Sequence, residues 1–179
     1  MTAIEKRYAA DLKNYPNGII QEFSGKDRFL SNFWPCPVEY AGARYKNAEA
    51  AFQAQKCRDP IEKAKFENMS AKDAKAAGRR VRLRDDWNTA RVDVMRGIVK
   101  DKFSRNPDLK TLLAGTRGMM LVEGNDWNDR FWGVDKATGI GGNALGLILM
   151  SVRGDLLADM APEEIEAAVK AYSAHVKGG

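Results

Sequence analysis

Acidic and indole side chains alternate over residues 123–133, and this stretch holds the greatest concentration of reactive groups in the sequence. Three carboxylates stand there beside Trp127 and Trp132. Carboxylates transfer protons and stabilise developing positive charge, while indole rings stack on flat bases. The stretch therefore predicts a site that binds a base and ionises the bond to its sugar. The alternative is an acidic surface loop whose tryptophans fill the core.

A second polar group has the spacing of one helix face. Glu49, Gln53 and Lys56 follow one another at intervals of four and three residues, so that their side chains project from the same side of a helix. The other positions of this segment are mostly alanine, which predicts a buried helix whose polar face lines a cleft. The alternative is a solvated salt bridge between Glu49 and Lys56.

Two cations lie in or beside the apolar stripe of the longest predicted helix, residues 86–104. Arg91 and Lys102 either extend their charged ends to solvent or hold a phosphate, for which arginine offers a bidentate fork. Trp87, at the start of the same helix, is either a core residue or a stacking surface for a base.

Two loops carry weaker signals. Ser31, Asn32 and Phe33 combine hydroxyl and amide donors with an aromatic ring, although Ser and Asn in loops usually form turns. The glycine-rich turn at 139–143 lacks both the G-x-G-x-x-G spacing and a preceding strand, which excludes a Rossmann dinucleotide site. Asn143 is expected to cap the helix that follows, and the N-terminus of that helix can receive an anion.

Composition limits the class of protein. The 179 residues, 44% hydrophobic and 30% charged, predict one domain with a substantial core, and the net charge of +5 suits phosphorylated ligands. Because there are two cysteines and one histidine, we predict neither a metal site nor a cofactor, and acid–base chemistry falls to carboxylates and lysines. The sequence shows no signal peptide and no apolar run long enough for a bilayer, which predicts a cytoplasmic protein without membrane association.

Capping and turn signals predict helices with a few short strands. Helices are expected at residues 47–57, 71–78, 86–104, 107–114 and 143–153, and from Pro60 and Pro162 onward. Strands are expected at 19–23, at 119–123 and at 38–45, the last folded back on itself at Ala41 and Gly42. The fold class is therefore α+β: a helix-rich single domain, residues 1–179, with a few short, mostly antiparallel strands.

Taken in order, these motifs resemble the YbiA-like, or NADAR, family of N-glycosidases. The matching segments are residues 29–33, 45–56, 84–95, 121–123, 129–133 and 142–150, within a motif-bearing core of about 19–155. The resemblance implies an α+β fold and hydrolysis of the N-glycosidic bond between a ribose and a base. The substrates it implies are phosphorylated intermediates of riboflavin synthesis or ADP-ribose attached to guanine in nucleic acid.

The resemblance also implies site residues. The catalytic candidates are Glu49, Lys56 and Asp129, and the substrate-binding candidates are Ser31, Asn32, Phe33, Trp87, Arg91, Lys102, Glu123, Trp132, Gly133 and Asn143. The sequence departs from the family pattern in two places: Arg91 stands where lysine is frequent, and the stretch between Glu123 and Asp129 is one residue longer than in the shorter-loop members.

The mechanism implied by these residues keeps two alternatives. Either Glu49 or Asp129 is the carboxylate that stabilises positive charge on the ribose. Lys56 either contacts a phosphate or hydroxyl, which we favour, or attacks the sugar to form an imine. The expected partner is a nucleotide-like small molecule or ADP-ribosylated nucleic acid, with no obligate protein partner. The alternative function is a non-catalytic module that binds ADP-ribose or nucleic acid.

Overall fold

The computed structural model describes residues 1–178, and helices dominate it. The helices are α1 (Ala3–Arg7), α2 (Ala48–Ala54), α3 (Pro60–Ala64), α4 (Ala71–Gly78), α5 (Trp87–Arg105), α6 (Pro107–Gly115), α7 (Ala144–Ala158) and α8 (Pro162–Lys177). The strands are β1 (Ile19–Ile20), β2 (Pro35–Tyr40), β3 (Ala43–Asn47), β4 (Met120–Leu121), β5 (Gly124–Asn125) and β6 (Val134–Asp135). The predicted class, helix-rich α+β with a few short strands, is confirmed. Within residues 1–178, no helix has the length and apolar character needed to cross a membrane.

The strands pair two by two, in both directions. β2 and β3, the longest, form the predicted antiparallel hairpin, and its turn residues Ala41 and Gly42 have φ of 51° and 80°. Positive φ at both turn positions is typical of tight hairpins, because it matches the twist of the strands. β1 pairs with β4 and β5 with β6, both in parallel. The sequence has no signal for these pairs, because each strand has only two residues.

The chain divides into two compact units. Residues 31–110 form one, here called the inserted unit, and residues 1–30 with 111–179 form the other, here called the terminal unit. The inserted unit has 18 Lys and Arg against 11 Asp and Glu, a net charge of +7. The terminal unit has 11 against 13, a net charge of −2. The expectation of a single domain stays a prediction.

Helix α2 is the centre of the inserted unit. It packs against the hairpin and against α3, α4 and α5, and all seven of its residues are buried. Four of the seven are alanines, whose small side chains allow neighbouring elements to approach closely. Asn47 begins the helix as predicted, since its Oδ1 accepts a hydrogen bond from the Ala50 N–H at 2.8 Å.

Helix α2 ends earlier than the expected residue 57. Its last residue is Ala54, and the N–H groups of Lys56 and Cys57 bond to the carbonyls of Gln53 and Ala54, three residues back. This tighter turn places Lys56 just beyond the helix. The one-face spacing of Glu49 and Gln53 holds, because both lie within α2.

A hydrophobic cluster in the terminal unit joins its first helix to its strands. Ile4, Tyr8, Met120, Val122 and Val134 are its buried members. The expected strand at 19–23 is only Ile19–Ile20, and α7 continues to Ala158 instead of ending at residue 153. Both differences concern the ends of elements, where sequence signals are weakest.

Candidate active site

The predicted site residues fall into two groups, one in each unit. Ser31, Asn32, Phe33, Glu49, Lys56, Trp87, Arg91 and Lys102 lie in the inserted unit, and Glu123, Asp129, Trp132, Gly133 and Asn143 lie in the terminal unit. The geometry within each group is described in turn.

Glu49 is a buried carboxylate in the first turn of α2, with 7% of its surface exposed. The Gln53 side chain lies one turn further along and donates a hydrogen bond from Nε2 to Glu49 Oε1 at 2.7 Å. The Glu49 N–H donates to the carbonyl of Asn32 at 3.0 Å. An ionised carboxylate is favoured near a helix N-terminus, where the peptide dipoles point their positive ends. The α2 helix therefore fixes both the place and the surroundings of this group.

Lys56 is half-buried, and its Nζ lies 3.4 Å from the carbonyl oxygen of Gly78 at the end of α4. Burial lowers the pKa of its ammonium group. Attraction to Glu49 opposes that shift, whereas Lys75 and Arg79 reinforce it. Lys56 thus has the environment of an amine that loses its proton more readily than an exposed lysine.

The loop before the hairpin is held by a buried lysine. Lys102 on α5 is fully buried, and its Nζ donates to the carbonyl of Ser31 at 2.8 Å. Next to it, Asn32 is 7% exposed and donates from Nδ2 to the sulfur of Met95 at 3.3 Å. Within residues 1–178, Asn32 Oδ1 has no hydrogen-bond partner. Lys102 therefore positions this loop, and its phosphate contact stays a prediction.

The remaining candidates of the inserted unit differ in exposure. Trp87 is 6% exposed and packs against Phe52 with ring centroids 5.0 Å apart, which is the geometry of a core residue. Phe33 is half-buried, with the Lys75 ammonium 5.4 Å from its ring centroid. Arg91 is half-buried on α5. Base stacking by Trp87 and phosphate binding by Arg91 stay predictions.

In the acidic stretch, Asp129 is held by backbone contacts. Its Oδ1 accepts hydrogen bonds from the N–H groups of Phe131 at 3.2 Å and Trp132 at 2.9 Å. The side chain of Asn125, which is 1% exposed, binds the Asp129 backbone at both ends. Its Oδ1 accepts a hydrogen bond from the Asp129 N–H, and its Nδ2 donates one to the Asp129 carbonyl. The turn around Asp129 is thus built by side-chain to backbone hydrogen bonds, and the carboxylate is oriented by the same bonds.

The two tryptophans of the acidic stretch differ in their exposure to solvent. Trp132 is half-buried, with its ring edge-on to Phe131 at 4.9 Å between centroids, and Trp127 is 63% exposed. The alternative in which both tryptophans fill the core is therefore wrong for Trp127.

Asp126 forms an ion pair with Lys136 at 2.7 Å, and together with Glu22 it raises the pKa of that lysine to about 12.

Backbone contacts define the surroundings of the last three candidates of this group, Glu123, Gly133 and Asn143. Glu123 bonds to Val134 through its carbonyl, and a side-chain carbon on Gly133 would overlap that carbonyl oxygen. Asn143 is 1% exposed, with φ of 53°, and bonds to the backbone of Leu121 and Glu123 at 2.9 and 3.0 Å. Asn143 is the N-cap residue of α7 as predicted, but its side chain makes no capping hydrogen bond, because its amide bonds to the backbone at β4 instead.

Three residues of these groups had no catalytic or binding role assigned from the sequence. Gln53 was predicted only as part of the polar face of α2, and its amide donates a hydrogen bond to the Glu49 carboxylate. Gly78 is predicted only as a helix end, yet it lies against Gln53 and Lys56. Asn125 lies inside the acidic stretch, where no spacing rule singles it out. Across residues 1–178, no three His, Cys, Asp or Glu side chains are grouped in a way that could hold a metal ion.

Comparison with known proteins decides the family. The sequence model of the NADAR domain matches residues 20–157, which covers well over half of the chain and spans both units. The chain belongs to the NADAR family. The resemblance inferred from the motifs is therefore confirmed.

NADAR relatives match most of this chain. The N-glycosidase YbiA of Escherichia coli (strain K12) is 34% identical over 143 residues, covering 77% of this chain and 88% of YbiA. A riboflavin biosynthesis protein of Vibrio vulnificus is 41% identical over 133 residues, covering 72% of this chain but 35% of the Vibrio protein. This chain thus spans about a third of the length of that relative.

The structure of one relative has been solved. The NMR structure of the E. coli protein YbiA superimposes with a TM-score of 0.69 at 30% sequence identity. The superposition covers 83% of this chain and 94% of that one. The helix-rich architecture is therefore shared with a NADAR relative over nearly its whole length.

Proposed function

We propose that this protein is an N-glycosidase that hydrolyses the bond between a ribose and a base. The observation that carries the proposal is the arrangement around Glu49: a buried carboxylate, oriented by Gln53, on the same unit as a lysine whose pKa burial lowers. Perturbed, partly buried ionisable groups of this kind are typical of catalytic sites. The name of the E. coli relative, an N-glycosidase, supports the same reaction class.

The reaction suits a site with carboxylates. When the bond from the sugar C1′ to the base nitrogen breaks, its electron pair leaves with the base, and positive charge spreads over C1′ and the ring oxygen. A carboxylate nearby stabilises that charge, more strongly in buried surroundings than in water. A water oxygen then bonds to C1′ and gives up a proton to a carboxylate, and the base nitrogen takes up a proton, so that the water is divided between the sugar and the base. In the inserted unit, Glu49 is the carboxylate proposed for this chemistry, and the role of Asp129 in the terminal unit stays a prediction.

The other candidate residues hold the substrate. Arg91 binds a phosphate, because its guanidinium fork matches phosphate oxygens, and Lys102 adds positive charge while it holds the loop at Ser31. Lys56 contacts a phosphate or a hydroxyl. Trp132, half-buried beside Phe131, stacks on the base or the sugar.

The first substrate class is a phosphorylated ribosyl pyrimidine of riboflavin synthesis. It is supported by the V. vulnificus relative, a riboflavin biosynthesis protein that is 41% identical over the matched region. Such a compound brings a flat base, a ribose and one phosphate, which fit the stacking, carboxylate and cationic roles proposed above.

The second substrate class is ADP-ribosylated guanine in nucleic acid. It is supported by the net charge of +7 on the inserted unit and by a cleft of about 690 Å³ in that unit. The cleft is lined by five cations and three carboxylates together with apolar residues such as Phe66. Arg58 and Lys65 form ion pairs with Asp85 and Glu62. Arg80 and Arg82, which also line the cleft, are the cations proposed to contact the phosphates of a nucleic acid strand.

A release assay tests both classes. The purified protein is incubated with a phosphorylated ribosyl pyrimidine, and separately with an oligonucleotide that carries ADP-ribose on guanine, and released ribose 5-phosphate or ADP-ribose is measured by mass spectrometry. Release from at least one substrate is expected. Binding of both without release would instead establish the non-catalytic binding module.

Charge-reversal variants distinguish the two classes. In the double variant Arg80→Glu/Arg82→Glu, cleavage of the oligonucleotide should fall and lose salt dependence, whereas cleavage of the free nucleotide should be unchanged. Lys110→Glu, in the same unit but outside the cleft, is the matched control. If the double variant and the control cleave the oligonucleotide equally well, the cleft has no part in its binding.

A further inference from the structure

The side chain of Gln53 is almost completely buried, yet only one end of its amide is satisfied. It is 5% exposed, and Nε2 donates to Glu49 Oε1 at 2.7 Å. Within residues 1–178, its Oε1 has no hydrogen-bond partner. A buried acceptor left in this state costs roughly 1–3 kcal/mol, so native proteins keep few of them, and each calls for an explanation.

The unsatisfied end of the amide faces Gly78. A side-chain carbon on Gly78 would overlap Gln53 Oε1 and would lie 2.6 Å from Gln53 Cδ, so that any larger residue would displace the end of the Gln53 side chain. The φ of Gly78 lies outside the left-handed range, and therefore its backbone does not itself require glycine. Position 78 is therefore explained by packing: the end of the Gln53 side chain occupies the space in which a side chain of residue 78 would lie.

The orientation of the amide depends on the charge of Glu49. With the NH₂ group toward Glu49, the glutamine donates to the carboxylate. The flipped amide would set its oxygen against an ionised carboxylate, and the two acceptors would repel each other. The hydrogen bond from Gln53 favours the ionised form of Glu49, because a hydrogen bond donated to a carboxylate stabilises its charge, and attraction to the Lys56 ammonium acts in the same direction.

We propose that Gln53 is a positioning residue that orients Glu49 and keeps it ionised, and that Gly78 is required because it makes room for Gln53. This inference rests on the proposed N-glycosidase function. Gly78 serves the site a second time through its carbonyl, which lies 3.4 Å from Lys56 Nζ. One residue at the end of α4 thus lies against the support of Glu49 and against Lys56 itself.

Two variants test the inference with the substrate that the wild-type protein cleaves in the release assay. Gln53→Met keeps the length of the side chain and removes the donor. Gly78→Ala leaves residue 53 a glutamine but displaces its side chain from the position beside Glu49. Each should lower kcat by roughly 10- to 100-fold, the loss expected from one hydrogen bond to a charged group, with little change in KM.

The dependence of kcat on pH distinguishes a loss of Glu49 positioning from a loss of folded protein. Without the donated hydrogen bond, the pKa of the buried Glu49 carboxyl should rise, so the acidic limb of the kcat profile should move to higher pH in both variants. Thermal unfolding measured in parallel gives the folded fraction. Gly154→Ala is the matched control, since Gly154 also lies in a helix and has open space around it.

A double variant tests whether Gly78 acts through Gln53. Once Gln53→Ala has removed the side chain, adding Gly78→Ala should lower kcat no further, because nothing remains to be displaced. The inference is overturned if both single variants keep the wild-type acidic limb, if kcat falls only in proportion to the folded fraction, or if the two effects add in full. A wild-type protein that releases no product would instead overturn the proposed function.

Discussion

At Lys56, burial and a nearby carboxylate act on one ammonium group in opposite directions. Burial, the larger effect, lowers its pKa, and Glu49 raises it. We expect Lys56→Arg, which keeps the charge but not the primary amine, to retain partial activity. Borohydride added during turnover should trap no adduct. A stoichiometric sugar adduct mapped to Lys56 by mass spectrometry would show instead that the lysine is a nucleophile that forms an imine.

Arg91 is expected to act on binding more than on the chemical step. A phosphate contact exists in both the ground state and the transition state, so its loss raises KM and leaves kcat nearly unchanged. Arg91→Ala should therefore raise KM about tenfold, as expected for a charged hydrogen bond. Lys100→Ala, an exposed lysine on the same helix, is the control. A large fall in kcat at constant KM would contradict this role.

At the scale of elements, Asn47, which caps α2, is expected to affect both the free energy of unfolding and the position of Glu49. Asn47 Oδ1 accepts from the Ala50 N–H, and Asn47 Nδ2 donates to the Met69 carbonyl. Asn47→Ala should lower the free energy of unfolding by about 1–2 kcal/mol, measured by urea denaturation. It should also lower kcat, because the same helix carries Glu49.

The cap of α4 provides the comparison for that prediction. Ser70 accepts from the Asp73 N–H, but the first turn of its helix carries no proposed catalytic residue. Ser70→Ala should therefore cost about 1 kcal/mol of stability and leave kcat unchanged. If Ser70→Ala and Asn47→Ala reduce kcat equally, the special connection between the α2 cap and Glu49 is refuted.

The elements also explain how far the sequence could predict the fold. Local signals were sufficient for the hairpin, where two consecutive residues form the turn, and for helices that begin at Asp59 or Ser70, whose side chains bond to their own helix. They were insufficient for the parallel pair of β1 and β4, because residues a hundred positions apart meet there. They also missed the orientation of the Asn143 side chain, which depends on a left-handed backbone and on packing against β4.

For the candidate site, the residue types were predictable but their supports were not. The spacing of Glu49 and Gln53 indicates a shared helix face. It does not indicate that one amide would hold the carboxylate or that Gly78 would leave room for it. The first support lies on α2 itself and the second on another helix, α4, and both depend on packing that a one-dimensional pattern does not contain.

At the scale of the whole molecule, the proposed mechanism needs no metal ion. The chemistry is assigned to carboxylates and a lysine, in agreement with a sequence that has one histidine and two cysteines. We therefore expect the release of ribose 5-phosphate or ADP-ribose to be unchanged by a metal chelator. Loss of activity in chelator that zinc or magnesium restores would contradict this prediction.

The central claim, that Glu49 is the buried carboxylate of an N-glycosidase, is tested most directly by comparing Glu49→Gln with the wild type in the release assay. The substitution keeps the shape of the side chain and removes its negative charge. We predict that the wild type releases product, and that Glu49→Gln lowers kcat by at least about 100-fold, the effect of removing one electrostatic contact to a transition state. Asp93→Asn, an exposed carboxylate on α5, should be as active as the wild type. A folded wild-type protein that releases nothing from either substrate, or a Glu49→Gln variant with wild-type kcat, would contradict the account.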